Sequence, residues 1–277
     1  MTSWRLLDSG AASPPWNMAM DRAILTLHAQ GQAPPTLRFY QWQPAAVSLG
    51  YFQKRHNLDM EACRQYGIEV VRRPTGGKAV LHLGDLTYAV IAGTAEGLPA
   101  AVTAAYRLIC EGLLAGFRGL GIEARMGRET GRSPQTDVCF LHRAIGAIMH
   151  QGKKFVGSAQ TWQASSMLQH GSIILEPQEE MLLKLWRGSS GAGGLQTAFQ
   201  GRLTSIREIL GHSTDLSKLK TALREGLSRT LGVELVEGEL TGEERSLARE
   251  LSNQEVNHPP CPTRTLPIFP WANSGSA

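Results

Sequence analysis

The sequence predicts an α+β fold, in which a mixed or antiparallel β-sheet is flanked by helices and followed by a small helical extension at the C-terminal end. Short runs of β-branched and apolar residues, separated by glycine and proline turns, recur up to Leu175. Two amphipathic helical patterns interrupt them early, and a longer one spans 99–120. After Pro177 the strand patterns give way to helical ones. Many strands broken by a few helices favour the α+β class.

Each predicted element has its own pattern. Helices are indicated by apolar residues three, four or seven apart, as in Trp16, Met20 and Leu27, and Asp59 is a suitable N-cap for the second helix. They are predicted at 16–28, 59–66, 99–120, 181–186, 203–210, 216–231 and 243–251. Strands are short apolar runs bounded by turn residues, predicted at 4–7, 36–40, 46–50, 68–71, 79–82, 86–91, 121–124, 144–148, 154–160 and 167–175.

The chain is predicted to form one folded domain over residues 1–256, of which 176–256 are a mainly helical appendage. A glycine- and serine-rich segment at 188–194 interrupts this helical part. Residues 257–277 are rich in proline and end in small polar residues, so we expect a disordered tail.

Composition and charge narrow the class of protein. With 277 residues, 42% of them hydrophobic and 19% charged, the chain can bury a substantial core. The net charge of +4 suits an acidic protein partner and does not by itself indicate nucleic acid. No apolar run is long enough to cross a membrane, and no signal peptide is evident. The chain has four cysteines, Cys63, Cys110, Cys139 and Cys261, and none of them form a C-x-x-C pair. This favours free thiols in a reducing cytoplasm over a zinc site or a disulfide framework.

A glycine loop between two predicted strands is the first candidate binding site. Arg72 and Arg73 precede Pro74-Thr75-Gly76-Gly77-Lys78, so positive charge surrounds a pair of glycines. Glycines, which have no Cβ, let the backbone approach a ligand and expose its N–H groups. The adjacent glycines match neither G-x-x-x-x-G-K-[ST] nor G-x-G-x-x-G. A tight hairpin with solvated basic residues explains the pattern equally well.

Cys139 is the most suggestive thiol. It follows a polar loop at 128–135 and precedes the hairpin that carries Lys154. A nearby cation can lower the pKa of a thiol and so make it a better nucleophile. The alternative is that Cys139 is a half-buried small apolar residue. Lys154 either serves a ligand from a desolvated position or lies at the surface, and His82 and His170 are either functional or structural histidines.

Five motifs occur in an order that becomes specific when they are taken together. They are S-P-P-W-N-M-A-M-D at 13–21, R-F-Y-x-W-x-P-A at 38–45, R-R-P-T-G-G-K-A-V-L-H at 72–82, G-K-K-F-V-G-S-A-Q at 152–160 and L-Q-H-G-S-I at 168–173. They closely resemble the biotin/lipoate protein ligase superfamily, and within it the LipM-type octanoyltransferases. The resemblance implies that residues 1–256 form the catalytic domain of that superfamily.

The resemblance also implies a reaction in lipoate biosynthesis. Such enzymes take an octanoyl group from octanoyl-acyl carrier protein and transfer it to one lysine of a lipoyl domain, such as the glycine cleavage H protein. A cysteine attacks the donor thioester to give an acyl-enzyme, which the acceptor lysine then attacks to form an amide. Neither a metal nor a cofactor is expected, because a thioester already lies uphill of an amide. A monomeric cytoplasmic enzyme without nucleic-acid or membrane partners is expected.

The matched motifs assign roles to individual residues. Cys139, in the family's V-C-F context, would be the nucleophile, and Lys154 would bind the acyl carbonyl and lower the thiol pKa. The expected substrate-binding residues are Arg73, Thr75, Gly76, Gly77, His82, Gly157, Ser158 and His170. The strands around them are rich in Val, Ile and Leu, which suits a linear octanoyl chain. One departure is that Leu83-Gly84-Asp85 stands where relatives usually have an acidic residue directly after the histidine.

Three other functions stay open on the sequence. An ATP-dependent lipoate–protein ligase would need an adenylate site and usually lacks a cysteine at the position of Cys139. An octanoyl amidotransferase acting between lipoyl domains would share the cysteine mechanism and differ in its donor. A non-catalytic protein that binds acyl groups or lipoyl domains would keep its binding after Cys139 is replaced.

Overall fold

Two β-sheets form the framework of the protein. The computed structural model describes residues 2–53, 57–127, 147–186 and 201–257. The strands within these ranges are β1 Thr2–Ala12, β2 Thr36–Trp42, β3 Ala46–Leu49, β4 Glu69–Arg72, β5 Val80–His82, β6 Asp85–Gly93, β7 Arg125–Met126, β8 Ile148–His150, β9 Lys153–Gln163, β10 Ser166–Ile174 and β11 Val233–Glu237. The α-helices are α1 Pro14–Ala29, α2 Met60–Gln65, α3 Val102–Gly119, α4 Glu179–Leu185, α5 Ile206–Leu210, α6 Leu216–Leu231 and α7 Gly242–Asn257.

The larger sheet is mixed. In the described part of the chain it has eight strands in the order β11-β1-β2-β6-β10-β9-β8-β7. Strand β1 runs parallel to both of its neighbours, and the other pairs are antiparallel. The smaller sheet, in the order β4-β3-β5, combines one parallel and one antiparallel pair. The predicted α+β class with a mixed sheet and flanking helices is confirmed.

Helices cover both faces of the larger sheet, because its strands alternate apolar side chains between the two. On one face, α3 and α6 bury Leu113 and Leu223 in a core that includes Val90 of β6. On the other face, α1 buries Ile24 in a core that includes Ile91, the next residue of β6. Helix α7 packs on the outer side of α1. The two faces are therefore separate environments, and only the α1 face adjoins the smaller sheet.

The chain after α3 differs locally from the prediction. A strand was expected at 121–124, whereas β7 begins at Arg125. Gly121 has φ +74°, its N–H bonds to the Arg118 carbonyl, and the N–H of Ile122 bonds to the Phe117 carbonyl. These backbone groups close the helix and cannot begin a strand. The predicted hairpin is present at Gln151-Gly152, where both residues have positive φ and join β8 to β9.

Strand β11 has no counterpart in the sequence prediction. It pairs in parallel with β1, where Thr2 lies opposite Val233, so the first and last strands of the described residues are neighbours in one sheet. Helix α6, just before it, contributes Leu219 and Leu227 to the core shared with α3. The helical residues after 201 thus pack directly on the larger sheet.

The closest helix contact gives a stability prediction. A Cβ on Gly226 of α6 would overlap the Gly116 nitrogen of α3 and lie 2.5 Å from the Gly112 carbonyl oxygen. Because backbone atoms cannot move aside, we expect Gly226→Ala to lower the free energy of unfolding by about 1–3 kcal/mol despite the better helix propensity of alanine. The control is Gly119→Ala, where a Cβ meets nothing within 4 Å. Urea denaturation compares them, and equal stability of the two variants would contradict this contact.

Candidate active site

A buried hydrogen-bond network lies between α1, the larger sheet and the glycine loop. The Asp21 carboxylate accepts hydrogen bonds from Arg38 Nη1 at 2.6 Å and from the Tyr40 hydroxyl at 2.8 Å. His170 Nδ1 lies 2.9 Å from the same carboxylate, and His170 Nε2 lies 2.7 Å from Thr75 Oγ1. All five residues are buried. This connection, the Asp21 branch, runs from α1 through β10 to the loop.

A second branch has the same chemical order. Ser48 Oγ lies 2.9 Å from His82 Nε2, and His82 Nδ1 lies 2.8 Å from Asp85 Oδ2. The Ser172 hydroxyl donates to the same carboxylate oxygen at 2.7 Å. The Trp42 indole stacks on the His82 ring with centroids 4.0 Å apart. This connection, the Asp85 branch, joins β3 and β5 of the smaller sheet to β6 and β10 of the larger one.

Arg73 joins the two branches. Its Nε donates to Thr75 Oγ1 at 3.2 Å, and its Nη1 lies 2.8 Å from the Ser48 carbonyl and 3.3 Å from the Ser48 hydroxyl. Its Nη2 donates to the carbonyls of Gly76 at 2.8 Å and Lys78 at 2.7 Å. A guanidinium keeps its charge when it is buried, so these oxygens offset its desolvation. The loop from Thr75 to Lys78 is therefore wrapped around the Arg73 side chain.

Two glycines permit this close arrangement. A Cβ on Gly50, after β3, would overlap the Gly77 carbonyl group, so the loop touches the smaller sheet through backbone alone. Gly77 has φ +96°, a conformation that other residues rarely adopt, and a Cβ there would lie 2.9 Å from Arg73 Nη2. Arg72 fixes the adjoining turn by donating to the carbonyls of Gly50 and Tyr51. The paired-glycine loop predicted from sequence is thus held from both sides.

Burial and charge set the ionisation of the Asp21 branch. Burial alone would raise the pKa of the Asp21 carboxyl, but the Arg38 charge and the hydrogen bonds from His170 and Tyr40 outweigh it and hold that pKa below its usual value. Burial lowers the pKa of His170, and the nearby Arg73 charge acts in the same direction. Burial and the Asp21 charge raise the pKa of Tyr40 well above its usual value. The branch therefore holds an ionised carboxylate and a neutral imidazole near pH 7.

The predicted binding residues separate into two places. The network contains Arg73, Thr75, Gly76, Gly77, His82 and His170. Residues directly opposite one another in antiparallel strands share a face. Gly157 lies opposite Ser172 and so belongs to the network face, whereas Ser158 lies opposite Gly171 on the α3 face. There the Ser158 hydroxyl is 2.7 Å from the Tyr88 hydroxyl, so the structure does not bring that side chain to the network.

Lys154 is buried at the start of β9, with 3% of its surface exposed. Its backbone N–H donates to the Arg202 carbonyl at 2.8 Å, and its carbonyl accepts from the Thr204 N–H at 3.1 Å. It lies opposite Met149 in the β8–β9 pair. A lysine is rarely buried to this extent, so the surface position that the sequence left open does not apply.

The cysteines differ in what they can do. Cys139 lies outside the described residues, as does Cys261. Burial raises the pKa of Cys63 to about 11 and that of Cys110 to about 12. Neither of the two described thiols forms a disulfide, and both are buried and almost wholly protonated near pH 7, so they are poor nucleophiles. Gly127 and Ala147, at the two ends of the segment that contains Cys139, are joined by a backbone hydrogen bond of 2.7 Å beside the β7–β8 pair.

Sequence reasoning missed several members of the network. Asp21 and Arg38 lie within motifs that were matched without being given a role, and Asp21 follows Asn17 by one helical turn on the same face of α1. Arg38 Nη2 donates to Asn17 Oδ1 at 2.7 Å. Two polar residues at this spacing among buried apolar ones were the available signal. Asp85 is the missing acidic partner of His82, displaced by two positions because Leu83-Gly84 forms the turn before β6.

Comparison with known proteins places this network in a family. The chain matches the lipoyl protein ligase A/B catalytic domain family over residues 13–228. It is 42% identical over 261 residues to the octanoyltransferase LipM of Kyrpidia tusciae, covering 91% of this chain and 95% of the relative. The corresponding enzyme of Bacillus subtilis is 39% identical, with 90% and 94% covered. The chain belongs to the lipoyl protein ligase A/B catalytic domain family. It is an enzyme of the acyltransferase class, as the motifs predicted.

Solved structures agree with this placement. A lipoate-protein ligase A bound with ATP superimposes with a TM-score of 0.75 at 28% identity, covering 91% of this chain and 95% of the other. A lipoate protein ligase from Thermoplasma acidophilum with bound lipoic acid gives a TM-score of 0.75 at 27% identity, covering 91% and 96%. The resemblance drawn from the five motifs is therefore confirmed for both family and fold.

The described residues hold neither a cluster of metal-binding side chains nor a membrane-spanning helix. No group of three or more His, Cys, Asp or Glu side chains within the described ranges is arranged to hold a metal ion. Among the helices of those ranges, none has the length and apolar character needed to span a membrane.

Replacing Arg73 tests how the loop is held. Lysine carries three N–H donors on one nitrogen and cannot reach the Ser48, Thr75, Gly76 and Lys78 oxygens together. We expect Arg73→Lys to lower the free energy of unfolding by about 2–4 kcal/mol, because buried oxygens lose their donors. Arg64→Lys is the control, since 65% of that side chain is exposed, and should change stability little. Urea denaturation measures both, and a stable Arg73→Lys protein would contradict this account.

The neutral state of His170 predicts a loss of stability in acid. Its folded pKa lies below the ordinary value of 6.5, so as the pH falls through that value the unfolded chain binds a proton that the folded chain does not. The contribution is complete above this pH and declines by up to about 1.4 kcal/mol per pH unit until the folded pKa is reached. His28, whose pKa is also lowered by burial, adds to the same decline.

His170→Gln removes one of these two contributions. We expect its free energy of unfolding to fall less steeply than that of the wild type between about pH 6.5 and pH 5, with each protein referred to its own value at pH 8. The lowered pKa of Asp21 acts only below its ordinary value of 3.8, outside this range. Parallel curves for the two proteins would mean that His170 is not buried in the neutral form.

Proposed function

We propose that this enzyme transfers an octanoyl group from octanoyl-acyl carrier protein to one lysine of a lipoyl-domain protein, such as the glycine cleavage H protein, in lipoate biosynthesis. The observation that carries the proposal is the similarity to octanoyltransferases over nine-tenths of the chain. An archaeal neighbour with a TM-score of 0.76 at 25% identity is described together with its E2 lipoyl domain, which supports an acceptor of that class. The net charge of +4 suits acidic protein partners.

The proposed chemistry has two acyl transfers. The Cys139 thiolate attacks the donor thioester carbonyl, a carbon–sulfur bond forms to Cys139, and the donor thiolate leaves and takes up a proton. The ε-amino group of the acceptor lysine then attacks the new thioester, losing a proton as the amide forms, and the Cys139 thiolate leaves. Both steps pass through an oxyanion that a positive charge or N–H donors would stabilise.

Cys139 and Lys154 are proposed as the catalytic pair. The raised pKa values of Cys63 and Cys110 make those two thiols unsuitable and support assigning the nucleophile elsewhere. The Lys154 ammonium would lower the pKa of the Cys139 thiol and bind the acyl carbonyl. Support comes from the order of elements along the chain. Cys139 lies in the segment between β7 and β8, and β8 pairs with β9, where Met149 lies opposite Lys154.

The remaining predicted residues are proposed to form the acyl-binding surface. The backbone of Gly76 and Gly77 would lie against the carbonyl end of the octanoyl group, where glycine N–H groups can serve as donors. Thr75, Arg73, His82 and His170 would hold that loop, and Gly157 would flank it, whereas the Ser158 side chain lies on the α3 face away from it. No cofactor enters the proposed reaction, and a cytoplasmic monomer is the proposed working form. Residues 1–256 are proposed as the catalytic unit.

An ATP-dependent ligase is the second candidate. The observation in its favour is the similarity to a lipoate-protein ligase A bound with ATP, which covers most of both chains. Such an enzyme would activate a free acid as an adenylate and would not need a thioester on cysteine. The requirement for ATP separates it from the transferase, and donor specificity separates an amidotransferase acting between lipoyl domains.

Intact-protein mass spectrometry tests the acyl-enzyme. After mixing with octanoyl-acyl carrier protein, without ATP or acceptor, the wild type is expected to gain one octanoyl group that hydroxylamine removes. Cys139→Ala should gain none, because it has no nucleophilic sulfur, and Cys110→Ala is the matched control that should be acylated like the wild type. Acylation of Cys139→Ala, or acceptor modification that requires ATP and free octanoate, would overturn the proposed mechanism.

A further inference from the structure

The Asp21 branch has one possible direction of hydrogen bonding. An ionised carboxylate only accepts, so the proton on the His170 ring must be on Nδ1, which lies 2.9 Å from Asp21 Oδ2. His170 Nε2 is then an acceptor, and the Thr75 hydroxyl donates a hydrogen bond to it at 2.7 Å. This leaves the Thr75 oxygen as acceptor for Arg73 Nε at 3.2 Å. The charge of Asp21 thus fixes a chain of donors that ends on Arg73.

Each member of this chain is supported by other elements. Asp21 is held by Arg38 and Tyr40 of β2. Charged and titratable groups that face His170 are Asp21 from α1, Arg73 from the loop and His82 from β5. Thr75 and Asp21 have no exposed surface, and His170 is 6% exposed. Bulk water therefore does not replace a lost bond readily, and the rotamers of these side chains are fixed.

We propose that Asp21, His170 and Thr75 are positioning residues for the acyl transfer, which orient Arg73 and through it the Gly76–Lys78 backbone against the acyl group. The inference rests on the proposed function of the loop. None of the three residues needs to touch substrate, because their effect reaches the loop through the Thr75 oxygen and the Arg73 guanidinium. Arg73 Nη2 then holds the Gly76 and Lys78 carbonyls inward.

A purely structural role would produce a different pattern of effects. Loss of a structural bond lowers stability and leaves the turnover of the remaining folded enzyme unchanged. Loss of a positioning bond lowers kcat in the folded enzyme, because fewer molecules hold the loop in the reactive arrangement. Thr75 allows the comparison, since valine has the same shape without the hydroxyl and serine keeps the hydroxyl without the methyl group.

The experiment uses full-length wild type, Thr75→Val and Thr75→Ser. Steady-state transfer from octanoyl-acyl carrier protein to a lipoyl domain gives kcat and KM. Hydrogen exchange gives the protection of the Tyr51 amide, which donates to the Thr75 carbonyl of the loop at 2.9 Å. For Thr75→Val we expect about a tenfold fall in kcat with KM for the donor nearly unchanged, and about a tenfold loss of this amide protection at the loop. Thr75→Ser should stay within about twofold of the wild type in both measurements. The ¹⁵N shifts of the His170 ring should show a proton on Nδ1 in all three proteins.

The outcomes are distinct. A Thr75→Val protein that melts at a lower temperature but keeps the kcat and loop protection of the wild type would overturn the proposal. A His170 ring protonated on Nε2 in the wild type would overturn the direction of the chain. Formation of an octanoyl adduct on Cys139 tests the proposed reaction independently of the loop. Amide protection reports on the loop even if that reaction fails, and equal protection in the valine and serine variants would also overturn the proposal.

Discussion

The burial of the Arg73 charge is the constraint on which the candidate site depends. A guanidinium cannot give up its proton inside a protein, so it must be surrounded by oxygen atoms or expelled to solvent. At 4% exposure it is surrounded, and the oxygens come from Ser48 and from the loop that follows Arg73. The loop therefore closes around the side chain of Arg73, which directly precedes it. This closure brings the backbones of Gly50 and Gly77 into contact, so there is no room for a side chain on Gly50.

The negative charges that accompany Arg73 are placed at a distance. Asp21 and Asp85 each reach it through an imidazole and a hydroxyl, and Arg38 forms an ion pair with Asp21 directly. A carboxylate in direct contact with the guanidinium would use N–H donors that the loop carbonyls now accept from. With an imidazole and a hydroxyl between each carboxylate and Arg73, the carboxylates fix hydrogen-bond directions while Arg73 keeps its donors for the loop. The same arrangement ties α1, both sheets and the loop into one polar core.

Sequence patterns predicted most of the fold because most of its elements are local. The Asp59 cap, the helix at 99–120 and the hairpin at Gln151-Gly152 each carry their own signal, and each is present. Strand β11 was missed because a parallel edge strand is not joined to its partner by a short turn that the sequence could reveal. Its partner β1 lies more than 200 residues earlier in the chain. The site was predicted in part: the motifs gave the loop and the histidines. Which carboxylate meets which histidine depends on packing between distant segments, and that was not available from spacing alone.

Register in the β9–β10 pair decides which groups can share the site. Gly157 and Ser172 lie opposite one another on the network face, and Ser158 and Gly171 do so on the α3 face. A shift of one residue would exchange the faces and turn Ser158 toward the network. A Cβ on Gly171 would overlap the Ser158 hydroxyl, so this register requires glycine opposite Ser158. The two-residue turn at Gln151-Gly152 sets the register of β8 with β9 at the other end of β9.

Lys154 lies in the part of β9 next to this turn, and its backbone also bonds to Arg202 and Thr204. Its backbone is therefore fixed from two directions, which suits the catalytic role proposed for its side chain.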